Sequence, residues 1–142
     1  MTIGKANHQR DAIIAILTAQ GLPAADLPQN LGNFVMATKN GEITGIGGLE
    51  IYGDYGLLRS LAVLPQYRDK GIAAQIINWL EQEAAALGLK EIYLLTETAA
   101  TYFEKKSFRA ITRAEVPDAV KLSTEFSHVC PVSAIVMKKT IS

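Results

Sequence analysis

The chain has 142 residues, 49% hydrophobic and 20% charged, which suits a compact domain with a buried core and excludes a disordered chain. Lys+Arg and Asp+Glu are both 14, so no global charge favours nucleic acid or an acidic membrane, and any anion site must be local. A single cysteine, Cys130, rules out an intrachain disulfide framework, and two histidines argue against a bound metal such as zinc. No apolar run approaches the ~20 residues of a membrane span, and no basic segment leads into an apolar stretch at the N-terminus. A cytoplasmic setting is the default expectation. Repeats, low-complexity segments and linkers are missing, so residues 1–142 read as one domain.

In chain order, Asn7 can cap a helix whose stripe is Ile13, Ile14 and Leu17 and which Gly21 closes. The turn-rich LPAADLPQNLG follows, with room for one short helical turn. Then come two extended runs joined at Asn40-Gly41, a type I′ hairpin signal. LLRSLAV is a strand, and the span from Gly71 to Leu87 a helix with Ile72, Ile76, Leu80, Ala84 and Leu87 on one face, ended by Gly88. KEIYLLT is a short buried strand and TAATYFEKKS a shorter helix; FRAITRAEV and SAIVMKKT are strands on either side of an irregular stretch. Hairpins first and a strand–helix–strand unit in the middle predict an α/β (α+β) fold with a mixed sheet covered by helices. EIYLL should run parallel to LLRSLAV.

The strand-to-helix junction holds Arg68-x-x-Gly71-x-Ala73. A helix start offers unpaired amides and the positive end of the helix dipole, which together hold a phosphate or diphosphate without a net basic protein. Gly71 allows close approach of a ligand, and Arg68 and Lys70 add charge that Asp69 partly opposes. Without Lys-Ser/Thr at its tip, the loop is unsuited to γ-phosphate transfer. The bland alternative is a plain turn in which Gly71 tolerates a bend.

LAVLPQYRDKGIAAQIINWLEQEA followed by LLTETAATYFEKKSF resembles the GNAT superfamily of acyl-CoA-dependent N-acyltransferases over about Phe34 to Arg109. The resemblance implies a mostly antiparallel sheet of six to seven strands, splayed between the fourth and fifth. It implies acetyl-CoA as cosubstrate, its diphosphate on the amides of Arg68, Asp69, Lys70, Gly71, Ile72, Ala73 and Ala74. The pantetheine arm would lie along Leu61, Ala62 and Val63, with Phe103 beside the cofactor and a bulge in the strand freeing one amide for the thioester oxygen. The family's pattern is broken where its usual glutamate base is Leu57, its tyrosine acid Phe103, its glycine before phenylalanine Ser107 and its asparagine Glu97. A thiol of pKa ~8.5 leaves tolerably without an acid, and an α-amino group of pKa ~8 is partly neutral at cytoplasmic pH. The losses should slow the reaction without stopping it.

Arg59 inside an apolar strand reads either as a structural ion pair or as a bidentate clamp for a substrate carboxylate. The tail, with Ser123, Glu125, Phe126, His128, Cys130 and Ser133, falls where GNAT proteins shape the acceptor pocket. Together with GLLRSLAV it resembles the small branch encoded beside arsenic-resistance functions and related to the acetyltransferase domain of N-acetylglutamate synthases. That implies a small amino-acid-like acceptor, with Glu125, Ser123 or Ser133 near its amine. Cys130 reads as a buried inert thiol, and His128 as a loop histidine or a proton relay. Trp79 could sit at a homodimer contact or pack on the sheet. The expected activity is transfer of acetyl to a primary amine; the other reading is a non-catalytic acyl-CoA sensor.

Overall fold

The computed structural model describes residues 1–6, 8–123, 126 and 134–141. In chain order the strands are β1 (Thr2–Lys5), β2 (Phe34–Lys39), β3 (Glu42–Tyr52), β4 (Tyr55–Val63), β5 (Glu91–Thr96), β6 (Arg109–Ile111) and β7 (Ile135–Thr140). The α-helices are α1 (Arg10–Ala19), α2 (Ile72–Ala86), α3 (Ala100–Lys105) and α4 (Asp118–Lys121). The sheet order is β1-β2-β3-β4-β5-β7-β6, so the last strand enters between β5 and β6. β1–β2, β2–β3, β5–β7 and β6–β7 pair antiparallel, and β4 pairs parallel to β5 over Tyr55–Leu57 against Glu91–Tyr93. The predicted parallel pair is therefore present in a mostly antiparallel sheet.

Contacts divide the chain into two compact units, residues 1–49 with 59–83 and residues 50–58 with 84–142. In the first, Ile13 and Leu17 of α1 are fully buried with Phe34, Ile46 and Ala62. The helix closes as expected: Gly21 takes a left-handed φ of 71° and the Leu22 amide donates to the Leu17 carbonyl. No helical turn forms in the passage after it among the described residues, where LPAADLPQNLG is turns and bends. Asn40 and Gly41 have φ of 53° and 81°, the pair of positive values a type I′ hairpin requires. A Cβ on Gly47 would lie 2.6 Å from Ile76 Cγ2 of α2, so only glycine lets this helix pack so close to β3. Ile46 packs with α1 and Gly47 with α2, and adjacent strand residues face opposite ways. The two helices thus cover opposite faces of β3. Trp79 is half-buried, with the Lys5 ammonium 5.3 Å from its ring centre.

In the second unit, Ile92, Tyr93 and Leu94 of β5 are all buried, as a strand covered on both faces requires. Leu57, Tyr93, Val116, Val120 and Val136 form its core. The stripe of α2 ends differently from the sequence reading. Leu87 is 49% exposed and Leu89 only 3%, because the Leu89 amide turns back onto the Ala84 carbonyl past the left-handed Gly88. The strand read in FRAITRAEV is also shorter. Thr112 caps a 3-10 turn over Arg113–Glu115, exchanging hydrogen bonds with Glu115, and the backbone leaves the sheet there. α4 then forms in the stretch read as irregular. Asn7, the expected cap of α1, lies outside the described residues, and Gln9 takes the capping position without a side-chain bond.

Candidate active site

In the first unit, β4 runs out through Val63, the Leu64 amide still donates to the Thr44 carbonyl, and a 3-10 turn over Pro65–Tyr67 leads to the loop before α2. Arg68 is exposed yet tied at both sides: its Nε–H donates to the Val63 carbonyl at 3.1 Å and its terminal nitrogen to Gln20. Asp69 and Gly71 have φ of 64° and 78°. Asp69 bears that conformation at a steric cost that Gly71 does not incur.

The helical ladder begins with the Gln75 amide donating to the Gly71 carbonyl. The amides of Ile72, Ala73 and Ala74 therefore precede the ladder and have no partner within the helix. A Cβ built on Gly71 meets nothing within 4 Å. The loop is open in front of three forward-pointing amides with Arg68 and Lys70 beside it. These residues fit a diphosphate. Leu61, Ala62 and Val63 lead straight into it, half-buried, buried and half-buried.

Residue Ser60 was not singled out in the sequence, and it is the irregularity in β4. Its φ is 59°, left-handed within a strand. The side-chain alternation breaks across it. Arg59 lies over the Phe34 ring and Ala62 belongs to the same cluster as Phe34, while the Leu61 side chain reaches toward Gly47 on the α2 side. Positions 59 and 62, three apart, thus share a face, which a regular strand forbids. That is a β-bulge.

Arg59 makes the structural ion pair, one of the two readings the sequence offers for it. Its guanidinium forks onto a carboxylate, but onto Asp26 of its own chain, with both N–O distances 2.8 Å. Both side chains are buried, and the Asp26 and Pro23 carbonyls accept further bonds at 3.4 Å. The geometry is that of the structural ion pair, with the fork on the Asp26 carboxylate. An aspartate between alanines and prolines in a turn-rich segment was the only signal for it.

In the second unit, Phe103 is buried on α3 with its ring edge-on to Tyr102 and Phe108. Leu57 is fully buried in the core, so the place of the family's usual base is apolar. Glu97 is exposed. Ser107 keeps the backbone of the glycine it replaces, at φ 73°. Burial raises the Tyr102 phenol above its ordinary pKa, and the Lys106 ammonium sits 5.6 Å from its ring. Ser123 is buried and its Oγ accepts the Phe126 amide, a local turn. Glu125, His128, Cys130 and Ser133 lie outside the described residues. No cluster of metal-binding side chains occurs among the described residues.

A mixed seven-stranded sheet with one parallel pair, and a bulged strand feeding a glycine loop onto a helix, is the GNAT fold. A model of the acetyltransferase (GNAT) family matches residues 8–108, and the chain belongs to that family. The amino-acid acetyltransferase of Azotobacter vinelandii is 32% identical over 95 residues, which make up 66% of this chain and 22% of that one. The Pseudomonas syringae amino-acid acetyltransferase is 30% identical over a stretch of the same length, also 22% of it, so the chain spans about a fifth of these relatives. Among solved structures, N-acetylglutamate synthase from Neisseria gonorrhoeae, complexed with coenzyme A and N-acetyl-glutamate, superposes with TM-score 0.82 at 18% identity, covering 99% of this chain and 35% of that one. Rv2747 from Mycobacterium tuberculosis in complex with CoA gives TM-score 0.81 at 23% identity, with 99% of both chains covered. These likenesses show a shared fold.

Proposed function

We propose that residues 1–142 act as one acyltransferase domain that moves acetyl from acetyl-CoA to the primary amine of a small, amino-acid-like acceptor. The observation that carries this reading is the stretch from Leu61 to Ala74, where a bulged strand runs into an open loop at Gly71 and three free helix-start amides. Acetyl-CoA supplies the activated acyl group. The chain's share is to hold the diphosphate on the amides of Ile72–Ala74 with Arg68 and Lys70, and to hold the pantetheine arm along Leu61–Val63. A main-chain amide at the bulge would face the thioester oxygen, where a fixed dipole lowers the barrier to acyl transfer. Held beside it, a neutral amine attacks directly; positioning of this kind can supply several of the ~7–11 kcal/mol attributed to proximity.

Neither Leu57 nor Phe103 can move a proton, so the amine arrives already neutral or loses its proton through water and nearby polar groups. The amino-acid acceptor is supported by the named activity of the sequence relatives and by the N-acetyl-glutamate bound in the Neisseria structure. Assignment to the branch encoded beside arsenic-resistance functions is part of the same proposal and rests on the sequence resemblance alone. Arg59 already holds Asp26; in this proposal Glu125, Ser123 or Ser133 lies near the acceptor's amine. A cytoplasmic setting belongs to the proposal too; no helix among the described residues is long and apolar enough to cross a membrane.

Calorimetry with CoA and a turnover screen of acetyl-CoA against amino acids test the reading together. Native protein should bind CoA, and Gly71→Glu should weaken it at least tenfold, since the new carboxylate enters the open space before the amides and strains a left-handed residue. Equal affinities would remove the loop assignment. CoA binding without turnover on any amine would instead point to a sensor.

A further inference from the structure

We propose that Arg59 and Asp26 are positioning residues: their buried pair acts as a rigid plate that holds Ser60 in its left-handed conformation and so sets the aim of the bulge. This rests on the acyltransferase reading above, in which the backbone just past Ser60 carries the thioester end of the cosubstrate.

The plate is fixed on several sides. Asp26 takes two guanidinium nitrogens at 2.8 Å each, and the Asp26 and Pro23 carbonyls accept at 3.4 Å. The guanidinium carbon lies 6.0 Å from the Phe34 ring centre, and Phe34 itself lies against Gly48, where a Cβ would meet the ring at 2.5 Å. The Nε–H donates to Ser60 Oγ at 2.9 Å. A bond from residue 59 to the side chain of residue 60 restricts the rotamer of Ser60 and, through it, the backbone at the one position of β4 where an L-residue is strained. Serine has no strong preference for φ near +60°, so something must hold it there.

Stability alone gives the pair little reason to exist. Apolar side chains of matching volume usually serve a core as well as a buried ion pair or better. What they could not supply is the directed N–H to Ser60. Lysine could not replace the arginine either, because one ammonium cannot hold a carboxylate fork and a hydroxyl in a single plane.

This separates positioning from mere packing. The double variant Asp26→Leu/Arg59→Met removes both charges of the pair together, and it should fold with a melting temperature near that of the native protein. Its kcat should fall roughly ten- to a hundredfold, as expected of a misplaced reacting group, while KM for acetyl-CoA stays within about twofold because the diphosphate loop is untouched. Adding Ser60→Gly should recover most of kcat, since glycine takes the left-handed conformation without support. In protein free of CoA, the three-bond HN–Hα coupling of residue 60 should change in the double variant.

A double variant with native kcat overturns the proposal. So does a loss of kcat that Ser60→Gly does not recover, or an unchanged coupling at Ser60. Should the native protein neither bind CoA nor acetylate any amine, the acyltransferase reading fails, and with it the function of the plate; the coupling alone would still decide whether the plate holds Ser60.

Discussion

Ser107 stands at a left-handed φ of 73°, where its amide and that of Phe108 close α3 onto the Glu104 and Phe103 carbonyls. A non-glycine residue there bears a steric cost of ~1–2 kcal/mol, partly offset by the smaller chain entropy it loses on folding. Ser107→Gly should therefore stabilise the protein by up to about 1 kcal/mol, read as a higher urea midpoint with an unchanged slope. Sequence reading recognised Ser107 as a departure from the family's glycine, but only the backbone angle shows that the fold kept the glycine's conformation. Arg59 gave the opposite lesson. A buried arginine in an apolar strand announces a carboxylate partner; whether that carboxylate is its own or a ligand's depends on which loop returns to it, and Asp26 lies far away in sequence.

At the scale of elements, β3 and α2 meet through a glycine. A side chain on Gly47 would fall 2.6 Å from Ile76 Cγ2 and 3.3 Å from Leu80 Cδ1, both in a helix already buried on that face. Gly47→Ala should cost about 1–3 kcal/mol as overpacking, despite removing a flexible glycine from the unfolded chain, and denaturant titration would measure it.

β5 and β7 carry a charged cross-strand contact. Burial would raise the Glu91 pKa, but the Lys138 ammonium at 2.6 Å and the Tyr93 hydroxyl at 2.9 Å outweigh it and hold the carboxyl below its ordinary value. A depressed folded pKa contributes stability above the unfolded value, and that contribution is lost as pH falls through the folded one. Lys138→Met should accordingly flatten the fall of stability between about pH 5 and pH 3, measured by urea titration across that range. Helix and strand existence were legible here because apolar periodicity over ten or more residues survives local noise. The ends were not: Thr112 and Glu115 form their cap through side chains that propensity treats as ordinary strand neighbours, and Leu89 replaces Leu87 only because Gly88 reverses the chain.

For the molecule as a whole, a diphosphate held mostly by main-chain amides, as proposed, would make ligand binding a property of the folded backbone. CoA should raise the melting temperature in proportion to the logarithm of its concentration, with about 2.7 kcal/mol of stabilisation at a hundred times its Kd. ATP at the same concentration should do less, because its phosphates find no Lys-Ser/Thr at the loop tip and it has no pantetheine arm to lie along Leu61–Val63. Equal shifts by both nucleotides in a thermal melt would mean that the loop recognises phosphate rather than an acyl carrier.

Periodicity, the Asn-Gly hairpin signal and the Arg68-x-x-Gly71-x-Ala73 loop were enough to place a strand, a glycine turn and a long helix in order, because each depends on neighbours within one turn of chain. The parallel run of β5 along β4 followed from connectivity alone. The bulge at Ser60, the pairing of Arg59 with Asp26 and the anchoring of Arg68 by Gln20 depended on the tertiary structure. Those contacts join residues tens of positions apart, and their energies are set by which groups are shut away from water together, a quantity no local pattern records.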